Sequence, residues 1–355
     1  MKRSEAKVSA FNSIALDVMG GDHGSQVILS GAAMALKAMP ELCLLLVGNQ
    51  AEIESSLFSH GIQGELLSRA KIVHADSVVT MDDKATSILK EKKNSSVRVA
   101  AECVREGNAY GMVSMGHTGA AMVASMKVIG TLPGVYRPCL ATILPTFGSN
   151  PIVLLDVGAN VDCKSEHLAQ FALMGAVYAE EVLGIPDPRI GVLSVGEEDG
   201  KGSETTRHAL DALRHLDINF GGNAEGRDIW NGKFNVVACD GFVGNVVLKS
   251  SEALAEGVFD GLRGSLRKNL LSRIGGLLVR PSMRSFYKKL DYAEYGGAPL
   301  LGVKGISIIG HGRSNERAVY NAIRVAASGA KNKIPSRIQE RMLHLLHPSH
   351  ETETT

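Results

Sequence analysis

An α/β fold with parallel strands is what this sequence predicts, on three observations. Short apolar runs end repeatedly in small-residue polar loops. Residues 152–201 read as strand, loop, amphipathic helix, strand, loop. The 45% hydrophobic content and 39 glycines among 355 residues describe a globular chain punctuated by turns. Within the central stretch, IVLLDVGANVD and IGVLSVGEEDGKG each run from a strand into a glycine loop. The segment between them is long enough for a helical crossover, so the strands are parallel and their loops share a rim. That rim carries Asp156, Asn160, Glu197, Glu198 and Lys201, with amides freed at Gly158 and Gly196. Ligands of open α/β sheets bind beyond the carboxyl ends of the strands, so the chemistry is expected here.

From the N-terminus, residues 14–18 form a strand entering MGGDHG (19–24), and 25–39 have helical spacing. A second strand over 42–47 ends at Gly48 and Asn49. The first loop lacks G-x-G-x-x-G, and no Asp or Glu closes the second strand, which argues against a dinucleotide. A third strand over 71–75 and a charged helix over 82–93 follow; Asn94, Ser95 and Ser96 then offer N-cap chemistry to a helix reaching Arg105. The strand 111–114 leads through SMGHTGA into an apolar helix over 120–129, and unpaired amides at that helix start suit an anion. A turn over 134–138 and a strand over 141–145 precede the central unit. The same punctuation returns at 219–227, 236–245 and 307–312. Nothing recurs at a fixed period, so these are one device used many times, expected on a common rim.

Lys plus Arg 38 against Asp plus Glu 37 leave a net charge of +1, so no global field points to nucleic acid and an ionic partner must meet a local patch. Cys43, Cys103, Cys139, Cys163 and Cys239 are odd in number and lack CxxC or metal spacing, which predicts free thiols in a reducing compartment. The N-terminus has no apolar signal core and no run is long enough to span a membrane; the expectation is a soluble protein that at most rests on a membrane surface. Such a contact is offered by Arg263, Arg267, Lys268, Arg273, Arg280, Arg284, Lys288 and Lys289, which occur without an intervening acid among Leu266, Leu270, Leu271, Ile274, Leu277 and Leu278. That is a basic amphipathic helix, suited to a membrane surface or a partner, or else packed on the sheet or a second subunit. Pro281 is expected to limit it. The expected organisation is one catalytic domain over 1–335, including a basic helical protrusion at 260–292, with a polar tail over 336–355.

The series MGGDHG (19–24), DVGANVD (156–162), FALMGAVYA (171–179), GEEDGKG (196–202), GNAEGRD (222–228), DGFVGNVVLK (240–249) and YGGAPLLG (295–302) closely resembles the PlsX-type phosphate acyltransferases of bacterial phospholipid synthesis. The motifs stand in family order and cover roughly residues 14–327. The resemblance implies a three-layer α/β/α Rossmann-like sandwich of the isocitrate dehydrogenase and phosphate acetyltransferase group. It implies acyl transfer from acyl-acyl carrier protein to inorganic phosphate, giving an acyl phosphate consumed by a membrane glycerol-3-phosphate acyltransferase. A cytoplasmic homodimer is implied too, peripherally bound to the membrane, with no metal or nucleotide cofactor. One departure stands out: the family's usual SAGNTGA carries His117 here in place of Asn.

This chemistry must orient one anion and stabilise another. Phosphate attacks a thioester whose carbonyl gains negative charge. Lys201, flexible between Gly200 and Gly202, is the first candidate cation, for phosphate or for the oxyanion. Asn160, Asn223 and Asn245 follow or adjoin glycines and can present amide donors, although each residue type is also common in turns. Gly20, Gly21, Gly116, Thr118, Gly119, Gly158, Gly241 and Gly244 are the expected substrate-loop positions, with Glu197 beside Lys201. Asp17, Asp156 and Asp240 are either acid/base groups or anchors for loop amides. His23 and His117 are candidate bases and His311 a candidate phosphate contact. No Ser/His/Asp order or GxSxG elbow is present, so direct attack by phosphate is expected over an acyl-enzyme. The rival readings are an acyl-CoA-dependent phosphate acetyltransferase-like enzyme and a noncatalytic membrane-bound scaffold.

Overall fold

The strands are three to six residues long and nearly all buried, the pattern of a sheet covered on both faces. In this computed structural model, which describes residues 12–290 and 296–346, they are β1 (Ser13–Asp17), β2 (Cys43–Gly48), β3 (Ala70–His74), β4 (Gly111–Ser114), β5 (Cys139–Leu144), β6 (Ile152–Leu155), β7 (Ile190–Leu193), β8 (Phe220–Ala224), β9 (Val236–Ala238), β10 (Ala298–Leu301) and β11 (Ile306–Ile309). The helices are α1 (Gly24–Ala38), α2 (Gln50–Leu57), α3 (Glu65–Ser68), α4 (Ser87–Lys90), α5 (Ser96–Arg105), α6 (Thr118–Ala124), α7 (Ser165–Glu181), α8 (Glu204–Arg214), α9 (Asp228–Asn231), α10 (Gly241–Leu266), α11 (Leu270–Leu290), α12 (Glu316–Lys331) and α13 (Ile334–Leu346). A π-helical turn, Ser125–Ile129, extends α6.

Alternate side chains of β1 divide between two cores. Ile14 and Leu16 join α1, α7, α8, α12 and α13, while Ala15 joins α5, α6 and the start of α10. The result is the α/β/α sandwich expected, around one sheet of order β3-β2-β1-β4-β11-β10-β5-β6-β9-β7-β8.

The sheet changes direction in the middle. β3, β2, β1, β4 and β11 are parallel to one another, as are β6, β9, β7 and β8, and the two sets meet through antiparallel β10 and β5. Ile308 pairs with Pro299, Leu300 with Leu140, and Ala141 with Leu155. The ends of β11 and β6 therefore stand at nearly the same height, reached from opposite sides. The expected single rim is instead two carboxyl edges that face each other across the joint. The central βαβ unit holds as read, with β9 inserted between β6 and β7.

Other expectations shift for local reasons. The charged helix over 82–93 reduces to α4, because Asp83 accepts from the Thr80 amide at 2.7 Å, the Thr80 hydroxyl at 2.8 Å and Lys92 Nζ at 2.6 Å; such side-chain bonds favour turns over helix. Asn223 lies inside β8 rather than in a loop. The basic segment is a hairpin of α10 and α11 with a break at 267–269, and α11 continues through Pro281, which removes one helical hydrogen bond without ending the helix. Its Leu270, Leu271, Ile274, Leu277 and Leu278 are all exposed, so it does not pack on its own sheet. Side chains 285–290 lie outside the described residues, as do Tyr295 and the HPSHETETT tail from His347. The polar tail expected from 336 begins as α13, whose Ile334, Ile338 and Met342, four residues apart, are buried in the core shared with α7.

Where β6 and α10 cross, Gly244 leaves no room: a Cβ there would overlap the Asp156 carbonyl oxygen and stand 2.9 Å from Cys239 Sγ. Gly244→Ala is expected to lower stability by about 2 kcal/mol, read as a fall in Tm. Gly257→Ala, in the open middle of the same helix with nothing near its Cβ, should leave Tm unchanged or raise it.

Candidate active site

On the first edge, the loops after β1, β4 and β11 interlock. A Cβ at Gly20 would stand 2.8 Å from the Gly116 amide and 3.0 Å from Asp17 Oδ2, and the Asp22 amide donates to Gly312 O at 2.8 Å. Gly21 has φ +99, a backbone that favours glycine, and a Cβ there would lie 3.5 Å from the Met115 and Gly312 carbonyl oxygens. Asp17 is buried beneath the crossing. Its Oδ2 accepts from Ser114 Oγ at 2.7 Å, and Oδ1 has no bond of good geometry. Burial raises its carboxyl above the ordinary value, partly offset by the hydroxyls of Ser96 and Ser114 and the amides of Met19 and Gly20. Asp17 props the loops and lies too deep to meet substrate.

His117 is engaged at both ring nitrogens. Nδ1 accepts from the Ala120 amide at 3.2 Å, which puts the proton on Nε2, and Nε2 donates to Asp83 O at 3.1 Å. No lone pair remains for a base, so the catalytic role expected of His117 does not fit its geometry. Thr118 is exposed with an uncommitted hydroxyl among the described residues. His23, exposed at the α1 N-cap, makes no capping bond. His311 Nδ1 accepts from the Arg313 amide at 3.3 Å, leaving Nε2–H as a donor toward solvent.

On the second edge, Asp156 pins the loop after β6 to β5, and Asp240 ties that loop to the one after β9. Asp156 Oδ1 accepts from the amides of Leu140 (3.0 Å), Gly158 (3.2 Å) and Ala159 (3.0 Å), and Oδ2 from the Asn160 amide (2.7 Å) and Asn160 Nδ2 (2.8 Å). Burial raises its pKa while those donors pull it down. Asp240 caps α10 through Phe242 N and takes the Cys163 amide, both at 2.8 Å. The Gly241 amide donates to Asn160 O at 2.9 Å. These aspartates are anchors, the second of the two roles foreseen.

The three asparagines separate cleanly. Asn160 Nδ2 is committed to Asp156 and to Pro138 O at 2.7 Å, both pure acceptors, so it has no donor left. Asn223 Nδ2 donates to Glu198 O at 2.8 Å, with Oδ1 buried and unpaired. Asn245 stands on the first turns of α10, 3.8 Å from a Cβ built at Gly158, and its side-chain amide is uncommitted among the described residues. It keeps both of its donors, whereas Asn223 keeps one N–H and Asn160 none.

The β7 and β8 loops form a third group, one strand beyond β9. Lys201 is exposed there, and its ammonium makes no ion pair or hydrogen bond among the described residues. Glu197 is bound to Arg227 at 3.0 Å and Lys233 at 3.1 Å, and those cations, Lys233 first, hold its pKa low; it fastens loops rather than binding substrate. Contacts thus join Asn160, Gly158, Asn245 and Gly241, while Lys201 and Asn223 belong to the adjoining group.

Sequence reading missed Ser96 and Ser114 as props of Asp17, since no spacing relates residues drawn together from three segments. It also missed Glu252, half-buried on α10, whose carboxyl is pushed above its ordinary value by burial while His311 across the joint pulls it back. The thiols beside the second edge are poor nucleophiles: burial pushes Cys163 up to about 12 and holds Cys139 and Cys239 well above the ordinary value. Among the described residues no cluster of three or more His, Cys, Asp or Glu could hold a metal.

A family model described as a fatty acid synthesis protein matches residues 12–337. A phosphate acyltransferase of Lawsonia intracellularis is 49% identical over 315 residues, spanning 88% of this chain and 89% of the relative; that of Geobacter sulfurreducens is 47% identical over 329 residues, spanning 93% and 94%. This chain belongs to the phosphate acyltransferase family. The EutD phosphotransacetylase of Staphylococcus aureus superposes with a TM-score of 0.61 at 19% identity, covering 91% of this chain and 96% of that one, a likeness of fold alone. Among the described residues of this phosphate acyltransferase, Thr118, His23, His311, Asn245 and Lys201 keep uncommitted polar groups on the facing edges, whereas Asp156 and Asn160 are spent on hydrogen bonds to the backbone and to each other.

Asp17 gives a stability test. A carboxyl whose folded pKa lies above its unfolded value stabilises the fold only while protonated, so its favourable term is present below pH 3.8 and is lost as pH rises through the raised value. Asp17→Asn removes that loss. Denaturation at several pH values should show the variant gaining on wild type as pH rises through this window; a constant difference would reject the buried-charge account.

Proposed function

We propose that the enzyme transfers a fatty acyl group from the thioester of acyl carrier protein to inorganic phosphate, releasing acyl phosphate and the carrier thiol. The observation that carries this reading is the pair of facing edges, with amide-rich glycine loops on one and the free donors Asn245 and Lys201 on the other. Phosphate docks on the interlocked loops after β1, β4 and β11, with the Thr118 hydroxyl and His311 Nε2–H as donors. A phosphate oxygen attacks the carbonyl carbon, and negative charge builds on the carbonyl oxygen, where Asn245 and Lys201 can stabilise it. Collapse breaks the C–S bond and the departing thiolate takes a proton. With the nearby thiols held protonated and both deep aspartates engaged, positioning and electrostatics do the catalysis.

Two surfaces support the wider reading. Val243, Val246, Leu254 and Val258 form an exposed apolar stripe on α10, which a second copy of the chain would cover in a homodimer. The exposed leucines of the α10–α11 hairpin stand among Arg267, Lys268, Arg273 and Arg280. Apolar side chains add nothing to long-range attraction, so this tip suits an anionic membrane, where the acyl phosphate would pass to a glycerol-3-phosphate acyltransferase. Among the described residues no helix is long and apolar enough to cross a membrane.

Purified enzyme should consume acyl-carrier-protein thioester only when phosphate is present. Lys201→Ala should lower kcat/KM by about tenfold to a hundredfold, the range of one charge-assisted bond; full activity would remove Lys201 from the mechanism, and acyl-CoA serving equally well would overturn the carrier assignment. In vesicle sedimentation, Leu270→Glu with Ile274→Glu should abolish binding to anionic liposomes while leaving the enzyme folded, and undiminished binding would reject the membrane role.

A further inference from the structure

We infer that Lys84 is a ligand for the phosphate oxyanion, held over the Gly116–Gly119 loop by a latch that His117 makes; the inference rests on the acyl transfer to phosphate proposed above. The geometry is a bracket. On one side of Lys84, Asp83 O accepts from His117 Nε2 at 3.1 Å. On the other, Ala85 presses on the loop so closely that a Cβ at Gly119 would lie 3.0 Å from the Ala85 methyl and 3.1 Å from the His117 ring. The backbone of Lys84 is therefore fixed against the glycine loop from both flanks, and a four-carbon stem can carry its ammonium to the loop's open edge.

The covering segment is braced from within. Lys92 Nζ donates to Val78 O at 2.7 Å and to Asp83 at 2.6 Å, and the Asp83 carboxylate also takes the Thr80 amide and hydroxyl. Lys92 and Asp83 neutralise each other, so neither cancels the charge of Lys84, and exposed Asp82 makes no ion pair with it among the described residues. Lys84 is exposed, and its ammonium makes no hydrogen bond or ion pair among the described residues. A cation standing unpaired beside a loop of free amides and the Thr118 hydroxyl fits a phosphate oxygen.

His117 suits this task through its two nitrogens. Nδ1 caps the helix as an asparagine oxygen would, while Nε2, on the far side of the ring, reaches the covering segment. An asparagine at this position can supply the cap, but its Nδ2 donor ends closer to the backbone than imidazole Nε2 and falls short of Asp83 O. His117 acts through Lys84 as a positioning residue.

The test is a double-mutant cycle on Lys84→Met and His117→Asn, with Lys84→Arg as the conservative control, reading the KM of each substrate and kcat. Lys84→Met should raise the phosphate KM about tenfold with the thioester KM within about twofold, and Lys84→Arg should recover most of the loss. His117→Asn should keep its Tm yet raise the phosphate KM, and the double variant should be no worse than Lys84→Met alone. An unchanged phosphate KM in Lys84→Met overturns the assignment. A rise confined to the thioester KM also overturns it, placing the lysine against the donor's own phosphate arm or carrier. Additive effects of the two substitutions overturn the latch. Wild-type enzyme without phosphate-dependent turnover would instead defeat the underlying acyl-transfer reading, a result distinct from all of these.

Discussion

The reversal of strand direction at β10 and β5 is the constraint on which this molecule depends. A wholly parallel sheet would set every glycine loop along one edge, with the outer loops many strand spacings apart at about 4.8 Å each. Two antiparallel strands in the middle turn the second set of strands over, and the stagger of Ile308 with Pro299 and Ala141 with Leu155 brings both carboxyl edges to one level. Each edge then offers what strand ends always offer, loops and helix starts with free amides, and the two offers face each other. One side can hold an anion while the other meets a carbonyl, an arrangement suited to joining two substrates.

Keeping those edges in place requires buried charge. Asp156 receives five hydrogen bonds from four residues, three in its own loop and Leu140 in β5, and leaving such donors unpaired costs about 1–3 kcal/mol each. Those donors offset much of the several kcal/mol needed to bury a carboxylate, although burial still leaves the Asp156 carboxyl above its ordinary value; a residue without acceptors there would leave the loop unpinned. Asp240, half-buried, ties Cys163 to the start of α10 in the same way, whereas burial disfavours the charge of Asp17, which has one oxygen unpaired. The carboxylates a reader would first assign to proton transfer are thus the ones the fold has committed. The functional groups are those left over: an asparagine amide, two lysines, a hydroxyl and exposed imidazoles.

The hairpin follows the opposite logic. Its leucines gain nothing from the chain's own core and stand exposed beside arginines and lysines, so its form serves contact with something outside the monomer. The free energy withheld from folding there is available for binding, at roughly 25 cal/mol per Å² of apolar surface covered.

Much of this was legible in the sequence because it is local. The strands β1, β2, β4, β6 and β7 and the helices α1, α5 and α7 follow from apolar period, although Ser95 at the start of α5 makes no capping bond; the DVGAN and GEEDGKG loops fall at strand ends, and DGFVGN opens α10 just after one. The sequence by itself determined the fold class and the family, since both are written in short contiguous patterns. Only the tertiary structure decided which asparagine keeps its donors, that His117 is tied at both nitrogens, that the polar-looking C-terminus buries Ile338 and Met342, and that there are two edges instead of one. Those outcomes depend on pairings between residues far apart in the chain, such as Asn160 with Pro138 or Pro299 with Ile308, and no local spacing encodes which distant partner a side chain or strand will meet.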